Sequence, residues 1–170
     1  MTRHVALLRA VNVGGTGKLP MPDLKAMCED AGLENVRAYI ASGNVVFDTK
    51  LSAAKARDAL ETRLEAYAGK RVDVFIRTAA DMARILKDNP FPDEEPKYTT
   101  AIFLDEAPKQ AWLDEAKGCK DAVMKLGQHE IYVHYPSGMG RSKLKIPAAE
   151  RGTARNLNTV AKLAGMAAGD

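Results

Sequence analysis

The sequence is poor in the residues from which disulfides and metal sites are built, with two cysteines and three histidines among 170 residues. Cys28 and Cys119 lie far apart and neither belongs to a CxxC pair, so we expect free thiols, as in a reducing cytoplasm. The histidines, His4, His129 and His134, are isolated, and no HxH, HExxH or paired carboxylate motif accompanies them. We therefore expect no metal site.

Long apolar runs are also missing, and no segment approaches the length of a membrane span. The first residues, MTRHVALLRAVN, lead directly into a predicted strand and show no signal-peptide pattern, which favours a cytoplasmic protein with no membrane partner. An apolar fraction of 46% with 28% charged residues is typical of a globular protein. The formal net charge of +3 permits an anionic partner without requiring one.

The standard cofactor and nucleophile motifs are absent as well. The stretch VNVGGTGK has neither the GxxxxGK[ST] spacing of a P-loop nor the GxGxxG dinucleotide fingerprint, and no GxSxG elbow occurs. We therefore expect no cofactor.

The stretch VALLRAVNVGGTGK, residues 5–18, organises the first half of the chain. Val5–Val11 is apolar at almost every position, which predicts a strand with neighbours on both sides. Gly14 and Gly15 then predict a tight turn. The polar residues Arg9, Asn12 and Lys18 have no packing use in a core strand, so the loop after this strand is the leading candidate site.

Periodicity and turn residues predict βαββαβ for the first half and βαββα for the second. The predicted elements are strands at Val5–Val11, Val36–Ile40, Asn44–Phe47, Arg71–Arg77, Thr100–Leu104, Ala122–Leu126 and Ile131–Tyr135, with helices after Pro22, Ser52, Thr78 and Pro108 and a last helix at Thr153–Met166.

This order predicts an α+β protein with two ferredoxin-like portions packed together, each an antiparallel sheet with helices on one face. The predicted portions are residues 1–90 and 99–170. The Pro-rich, charged segment FPDEEPKY, residues 91–98, is the predicted connector. Because each portion alone would bury little apolar surface, we expect the two to fold as one cooperative unit.

The βαββαβ order places the loop after the first strand, the Ser42–Gly43–Asn44 hairpin and the turn before the fourth strand at one end of the sheet. Glycine turns with exposed N–H groups beside basic side chains are typical of an anion-binding nest. The same glycines also suit ordinary turns, and Lys18 suits plain solvation. Arg9 either contacts a ligand there or pairs internally with a carboxylate such as Asp48.

A second basic segment follows the last predicted strand. Arg151 and Arg155 lie near the predicted start of the last helix, whose first turn also presents Asn156 and Asn158. A basic residue at a helix N-terminus opposes the helix dipole, which favours an anion beside Arg155, although solvation explains it equally well. If this segment meets the first loop, the two form one composite anion site between the halves.

Four segments together resemble the bacterial proteins grouped as domain-of-unknown-function family 1697: VALLRAVNVGG, MPDLK, YIASGNVVFD and GTARNLNTVAKL. The resemblance implies two ferredoxin-like portions and brings no activity, substrate or cofactor. The family's usual RNWNT corresponds to residues 155–159, where Leu157 replaces the tryptophan and removes any aromatic stacking at that position.

Three functions fit these observations. The leading hypothesis is binding of a phosphorylated or other anionic ligand, a nucleotide or nucleic acid. The second is a small enzyme for a phosphate- or carboxylate-bearing substrate, with Arg9 and Arg155 as the anion clamp and Ser42 or Asp48 in proton transfer. The third is a structural or protein-interaction module that uses a sheet edge or an apolar patch.

Overall fold

The computed structural model describes residues 2–9, 19–39, 43–138, 143–150 and 152–169. These residues form an α+β fold with two four-stranded antiparallel sheets and five α-helices, consistent with two ferredoxin-like portions. The strands are β1 (Thr2–Leu8), β2 (Glu34–Tyr39), β3 (Asn44–Thr49), β4 (Val74–Thr78), β5 (Thr99–Phe103), β6 (Val123–Leu126), β7 (Glu130–His134) and β8 (Thr153–Asn156). The helices are α1 (Met21–Asp30), α2 (Ala53–Ala68), α3 (Ala79–Lys87), α4 (Gln110–Asp114) and α5 (Leu157–Ala167).

The first sheet has the strand order β2-β3-β1-β4, so β1 lies inside the sheet between β3 and β4. Its residues from Val5 to Leu8 are fully buried. A strand that is buried on both faces needs apolar side chains at consecutive positions, and this explains the unbroken apolar run in the sequence.

Helices α1 and α2 pack on one face of this sheet. Each helix presents apolar residues at helical spacing, and a common core joins them to alternate residues of the strands. The core includes Leu24 and Cys28 of α1, Ala56, Leu60 and Leu64 of α2, and Ala6, Leu8, Val45, Phe47 and Val74 of the sheet.

Local capping chemistry sets the bounds of α2 and the start of α3. The Ser52 hydroxyl accepts a hydrogen bond from the Lys55 amide, and Gly69 ends α2 in the left-handed conformation with φ 72°. Thr78 and Asp81 form a reciprocal capping box, in which the side chain of each residue accepts one 3.0 Å hydrogen bond from the backbone amide of the other. All three signals were readable in the sequence.

The second sheet repeats the order of the first, as β6-β7-β5-β8. β5 takes the position of β1, and β8 takes the position of β4. The helix α4 packs Trp112 and Leu113 against the core of this sheet. Where the first half has α2, the second has irregular chain with a 3-10 turn at Pro147–Ala149, and Ile146 and Ala149 fill that part of the core.

The prediction of one helix from Thr153 to Met166 was wrong in its first turn. Thr153–Asn156 is the strand β8, and the helix α5 begins only at Leu157. Gly152 and Thr153 resemble a helix cap, but pairing of Thr153 with Phe103 and of Arg155 with Ala101 extends the sheet instead. Asn156 is the real cap, since its side-chain oxygen accepts a 2.9 Å hydrogen bond from the Thr159 amide.

The chain divides into two compact units. The first comprises Met1–Ala83 with Leu163–Asp170, and the second comprises Arg84–Lys162. Within the first unit, an Arg37 nitrogen donates a 2.6 Å hydrogen bond to the carbonyl of Met166 near the end of α5. The boundaries at residues 90 and 99, and cooperative folding of the two halves, stay predictions.

Candidate functional site

The C-terminal end of β1 lies beside the first residues of β3 and β4, as the predicted strand order indicated. Leu7 lies opposite Asn44 of β3, and Leu8 lies opposite Val74 of β4. The Leu8 amide donates to the Gly43 carbonyl and the Arg9 amide donates to the Asp73 carbonyl, both at 2.9 Å. We call the residues Arg9, Gly43, Lys70, Arg71 and Asp73 the β1 edge.

The β1 edge carries more positive than negative charge. Arg9 is partly buried, Lys70 is exposed, and the Arg71 side chain is 73% exposed. The Arg71 Nε atom lies 2.8 Å from the Asp73 carboxylate, which neutralises part of this charge. Because the Arg71 guanidinium has further N–H donors, an anion at this edge has donors to bind.

The two described residues of the β2–β3 hairpin have structural roles. Gly43 has φ 85°, a conformation that favours glycine. Asn44 is fully buried, and its side-chain amide donates to the Tyr39 carbonyl at 3.1 Å, which ties β2 to β3 across the hairpin. Asn44 therefore positions the hairpin and does not present its side chain at the surface.

Half of the predicted site residues lie outside the described residues. These are Asn12, Gly14, Gly15 and Lys18 of the loop after β1, Ser42 of the hairpin, and Arg151 near the C-terminus. Their roles stay predictions.

Internal pairing of Arg9 with Asp48 was the wrong alternative. Asp48 lies opposite Arg3, at the other end of β1, about 20 Å along the strand from Arg9 at roughly 3.3 Å per residue. Its carboxylate accepts hydrogen bonds from Arg3 at 2.9 Å and from Asn35 at 2.8 Å. The hydrogen bond from Arg3, then that from Asn35, lowers the pKa of Asp48 and keeps it ionised.

Contrary to the prediction from the sequence, Arg155 does not lie at the start of a helix. It belongs to β8 and is buried, and its guanidinium donates to the Thr153 hydroxyl at 2.7 Å and to the Ala154 carbonyl at 3.0 Å. Burial lowers the pKa of Arg155 to about 10. The helix-dipole argument for an anion beside Arg155 therefore no longer applies.

The two asparagines after Arg155 differ in role. The Asn156 side chain is the cap of α5, and Asn158 is exposed in the first turn of that helix. Of the predicted C-terminal residues that the structure describes, only Asn158 is exposed.

In the sequence His134 is an isolated histidine, and the polar cluster around it was not predicted. His134 is buried, with Nδ1 at 3.1 Å from the Thr99 hydroxyl and Nε2 at 3.2 Å from the Glu94 carboxylate. Its ring also contacts the Phe91 ring, with the centroids 5.7 Å apart. The register of β5 with β7 sets Thr99 opposite His134, and no pattern in the sequence reveals this pairing.

The thiols and carboxylates offer no assembled metal centre in the described residues. No group of three or more His, Cys, Asp or Glu side chains there could hold a metal ion. Both cysteines are free, and burial raises the pKa of Cys28 to about 12, which makes that thiol unreactive. In the described part of the chain, no helix combines the length and apolar character of a transmembrane span.

Known proteins give the chain a family and a structural relative. The chain is similar over 99% of its length, and over 99% of the other chain, to the solved structure of a conserved bacterial protein from Streptococcus pneumoniae, with 27% identity and a TM-score of 0.83. No curated protein shows significant similarity to the sequence. The family model described as "Protein of unknown function (DUF1697)" matches residues 1–132. The chain therefore belongs to the DUF1697 family.

Proposed function

We propose that the β1 edge binds a phosphorylated or similarly anionic ligand, a nucleotide or a segment of nucleic acid, in the cytoplasm. The observation that carries the proposal is the backbone pairing of Leu8 with Gly43 and of Arg9 with Asp73 where three strands end, with Arg71 bonded to Asp73 beside them. Backbone hydrogen bonds fix the ends of β1, β3 and β4, and Lys70 and Arg71 lie in the segment that leads into β4.

The charges at this edge favour a phosphate over a neutral ligand. Arg71 and Lys70 are exposed, and the partly buried Arg9 lies in the same strand end. Arg9, Lys70 and Arg71 carry three formal positive charges, against the one negative charge of Asp73. Guanidinium groups bind phosphate oxygens through paired N–H donors, and such charge-assisted hydrogen bonds are among the strongest that side chains make.

Binding is favoured over catalysis because two of the groups proposed for chemistry, Arg155 and Asp48, have other hydrogen-bond partners. The enzyme hypothesis requires Arg155 in an anion clamp, but its guanidinium donates within β8. It also uses Asp48, which pairs with Arg3 at the opposite end of β1. Ser42 stays a prediction, and without a base to orient it there is no specific support for a reaction.

The test is a titration of the protein with nucleotides and short oligonucleotides at low salt. We expect salt-dependent binding that Arg9→Ala and Arg71→Ala each weaken about ten- to a hundredfold, since a charge-assisted hydrogen bond contributes roughly 1.5–3 kcal/mol. Lys55→Ala is the control, because Lys55 is exposed in the first turn of α2, which follows the far end of β3. Equal binding by the wild type, Arg9→Ala and Arg71→Ala would rule the proposal out.

A further inference from the structure

A second basic surface lies in the second compact unit, whereas the β1 edge belongs to the first. It is built on a two-residue antiparallel bridge between Lys117 and Lys145, whose amides and carbonyls exchange two hydrogen bonds of 2.8 Å. In such a pair the Cα atoms are about 5.5 Å apart and the two side chains leave on the same face. Two positive charges are thus placed side by side.

Close backbone packing holds the two segments together. Gly118 has φ 70°, and a Cβ atom at this position would overlap the carbonyl group of Lys143. Glycine therefore allows the segment around Lys117 to lie directly against the segment from Lys143 to Lys145. Lys120 follows closely, with φ 34°, an uncommon conformation for a lysine. We call Lys117, Lys120, Lys143 and Lys145 the lysine surface.

The lysine surface is positively charged and not neutralised within the described residues. All four side chains belong to exposed residues, and none forms an ion pair with a described carboxylate. Of the acidic residues nearby in sequence, Asp121 accepts a hydrogen bond from the Ser137 hydroxyl, and Glu115 is exposed at the end of α4. Like charges placed opposite each other destabilise a sheet, so a bound anion would relieve a cost that is already present.

We propose that the lysine surface binds the phosphodiester backbone of a nucleic acid, independent of base sequence. Lysine ammonium groups act as mobile point charges and bind phosphates well, whereas protein–protein interfaces are depleted in lysine and enriched in aromatic residues and arginine. Membrane-surface sites combine basic residues with inserted apolar side chains. The exposed large apolar residues of the described chain are Tyr67, Val123 and Leu126, and none of them belongs to the two lysine segments.

This proposal does not rest on the β1 edge. Backbone-only recognition makes binding steeply dependent on salt and insensitive to sequence, because each phosphate contact releases condensed counterions. The logarithm of the affinity falls with the logarithm of the salt concentration, with a slope of about −0.7 to −0.9 per contact. The slope therefore measures how many lysines touch phosphate.

The experiment measures the fluorescence anisotropy of two labelled oligonucleotides of unrelated sequence, with salt varied from about 50 to 200 mM. We expect Lys117→Gln/Lys145→Gln to reduce the salt slope by about 1.4–1.8, the contribution of two contacts, and to weaken binding equally for both sequences. Lys117→Arg/Lys145→Arg should retain the wild-type slope. Because the bridge is made by backbone atoms, we expect these substitutions to leave the fold intact, and circular dichroism of the variants checks this.

The control is Lys25→Gln/Lys55→Gln, which makes the same change in net charge at exposed residues of α1 and α2. An unchanged slope in the Lys117/Lys145 variant, an equal loss in the control, or binding to anionic vesicles without binding to oligonucleotides would each overturn the proposal. Arg9→Ala separates the two proposals. Loss of binding in Arg9→Ala but not in Lys117→Gln/Lys145→Gln would leave the β1 edge standing and refute the lysine surface.

Discussion

Among substitutions at exposed glycines, we expect Gly118→Ala to lower the free energy of unfolding the most. Two effects add at this position. An alanine with φ near 70° costs about 1–2 kcal/mol in the left-handed region. Its Cβ would also overlap backbone atoms of Lys143, and relieving such a clash by moving the backbone costs roughly 1–3 kcal/mol more.

Gly138→Ala is the matched control in the same unit. Gly138 has φ 85°, also in the left-handed region, but its nearest neighbour would be a Tyr98 ring carbon at 3.7 Å, an ordinary contact. The control therefore carries only the conformational cost. In both variants alanine also restricts the unfolded chain, which offsets about 0.4–1 kcal/mol. The difference between the two variants isolates the contact with Lys143.

Urea unfolding of both variants measures this difference, and amide hydrogen exchange at Lys117 and Lys145 reports on the bridge. We expect Gly118→Ala to be about 1–3 kcal/mol less stable than Gly138→Ala, with faster exchange at both lysine amides. If the two variants agree within roughly 0.5 kcal/mol and the exchange rates are unchanged, the close packing of Gly118 on Lys143 is wrong.

Three further predictions concern charge, capping and a buried hydroxyl. Because Arg3 lowers the pKa of Asp48, the ion pair stabilises the fold above the unfolded pKa of about 4, and this stabilisation is lost as the pH falls below that value. The melting temperature of Asp48→Asn should therefore lie below that of the wild type at pH 7 and approach it near pH 3. A difference in melting temperature that stays constant with pH would contradict this. Ser52→Ala removes the α2 cap and should cost about 1 kcal/mol in urea unfolding, whereas Ser52→Asp should retain most of the stability; equal losses would argue against the cap. Tyr132→Phe leaves the Ile85 carbonyl without its 2.8 Å hydrogen bond and should cost about 1–3 kcal/mol, so a neutral result would contradict that bond.

Local chemistry made much of the first half predictable. The buried run from Val5 to Leu8, the Ser52 cap and the Gly69 terminus each depend on a few adjacent residues. The meeting of strand ends at the β1 edge was also predictable, because antiparallel order alone decides which loops share an end of the sheet.

The strand β8 was not predictable from its own residues. Thr153–Asn156 has no alternating apolar pattern, it is only four residues long, and it runs directly into α5. Its strand conformation comes from pairing with β5, a contact between residues 50 to 56 positions apart. The repeat of βαββ in both halves was the one signal for it, because β8 stands where β4 stands in the first sheet.

Side-chain roles at the candidate site depended on register, which the sequence does not reveal. Pairing with Asp48 was one of two alternatives for Arg9, but the register of β1 with β3 sets Asp48 opposite Arg3. Asn44 was assigned to a ligand, but its amide faces the Tyr39 carbonyl inside the hairpin. A shift of one residue would reverse which side chains are buried, so pattern alone could not separate these roles.

The central claim is that an anionic ligand binds at the β1 edge, and an amide chemical-shift titration with a nucleotide at low salt tests it most directly. We predict that the largest shifts fall on the amides of Arg9, Gly43 and Arg71, that they saturate with ligand, and that they diminish in Arg9→Ala. Shifts that are absent from these amides, or that are as large at Lys55 on α2 as at the β1 edge, would contradict the claim.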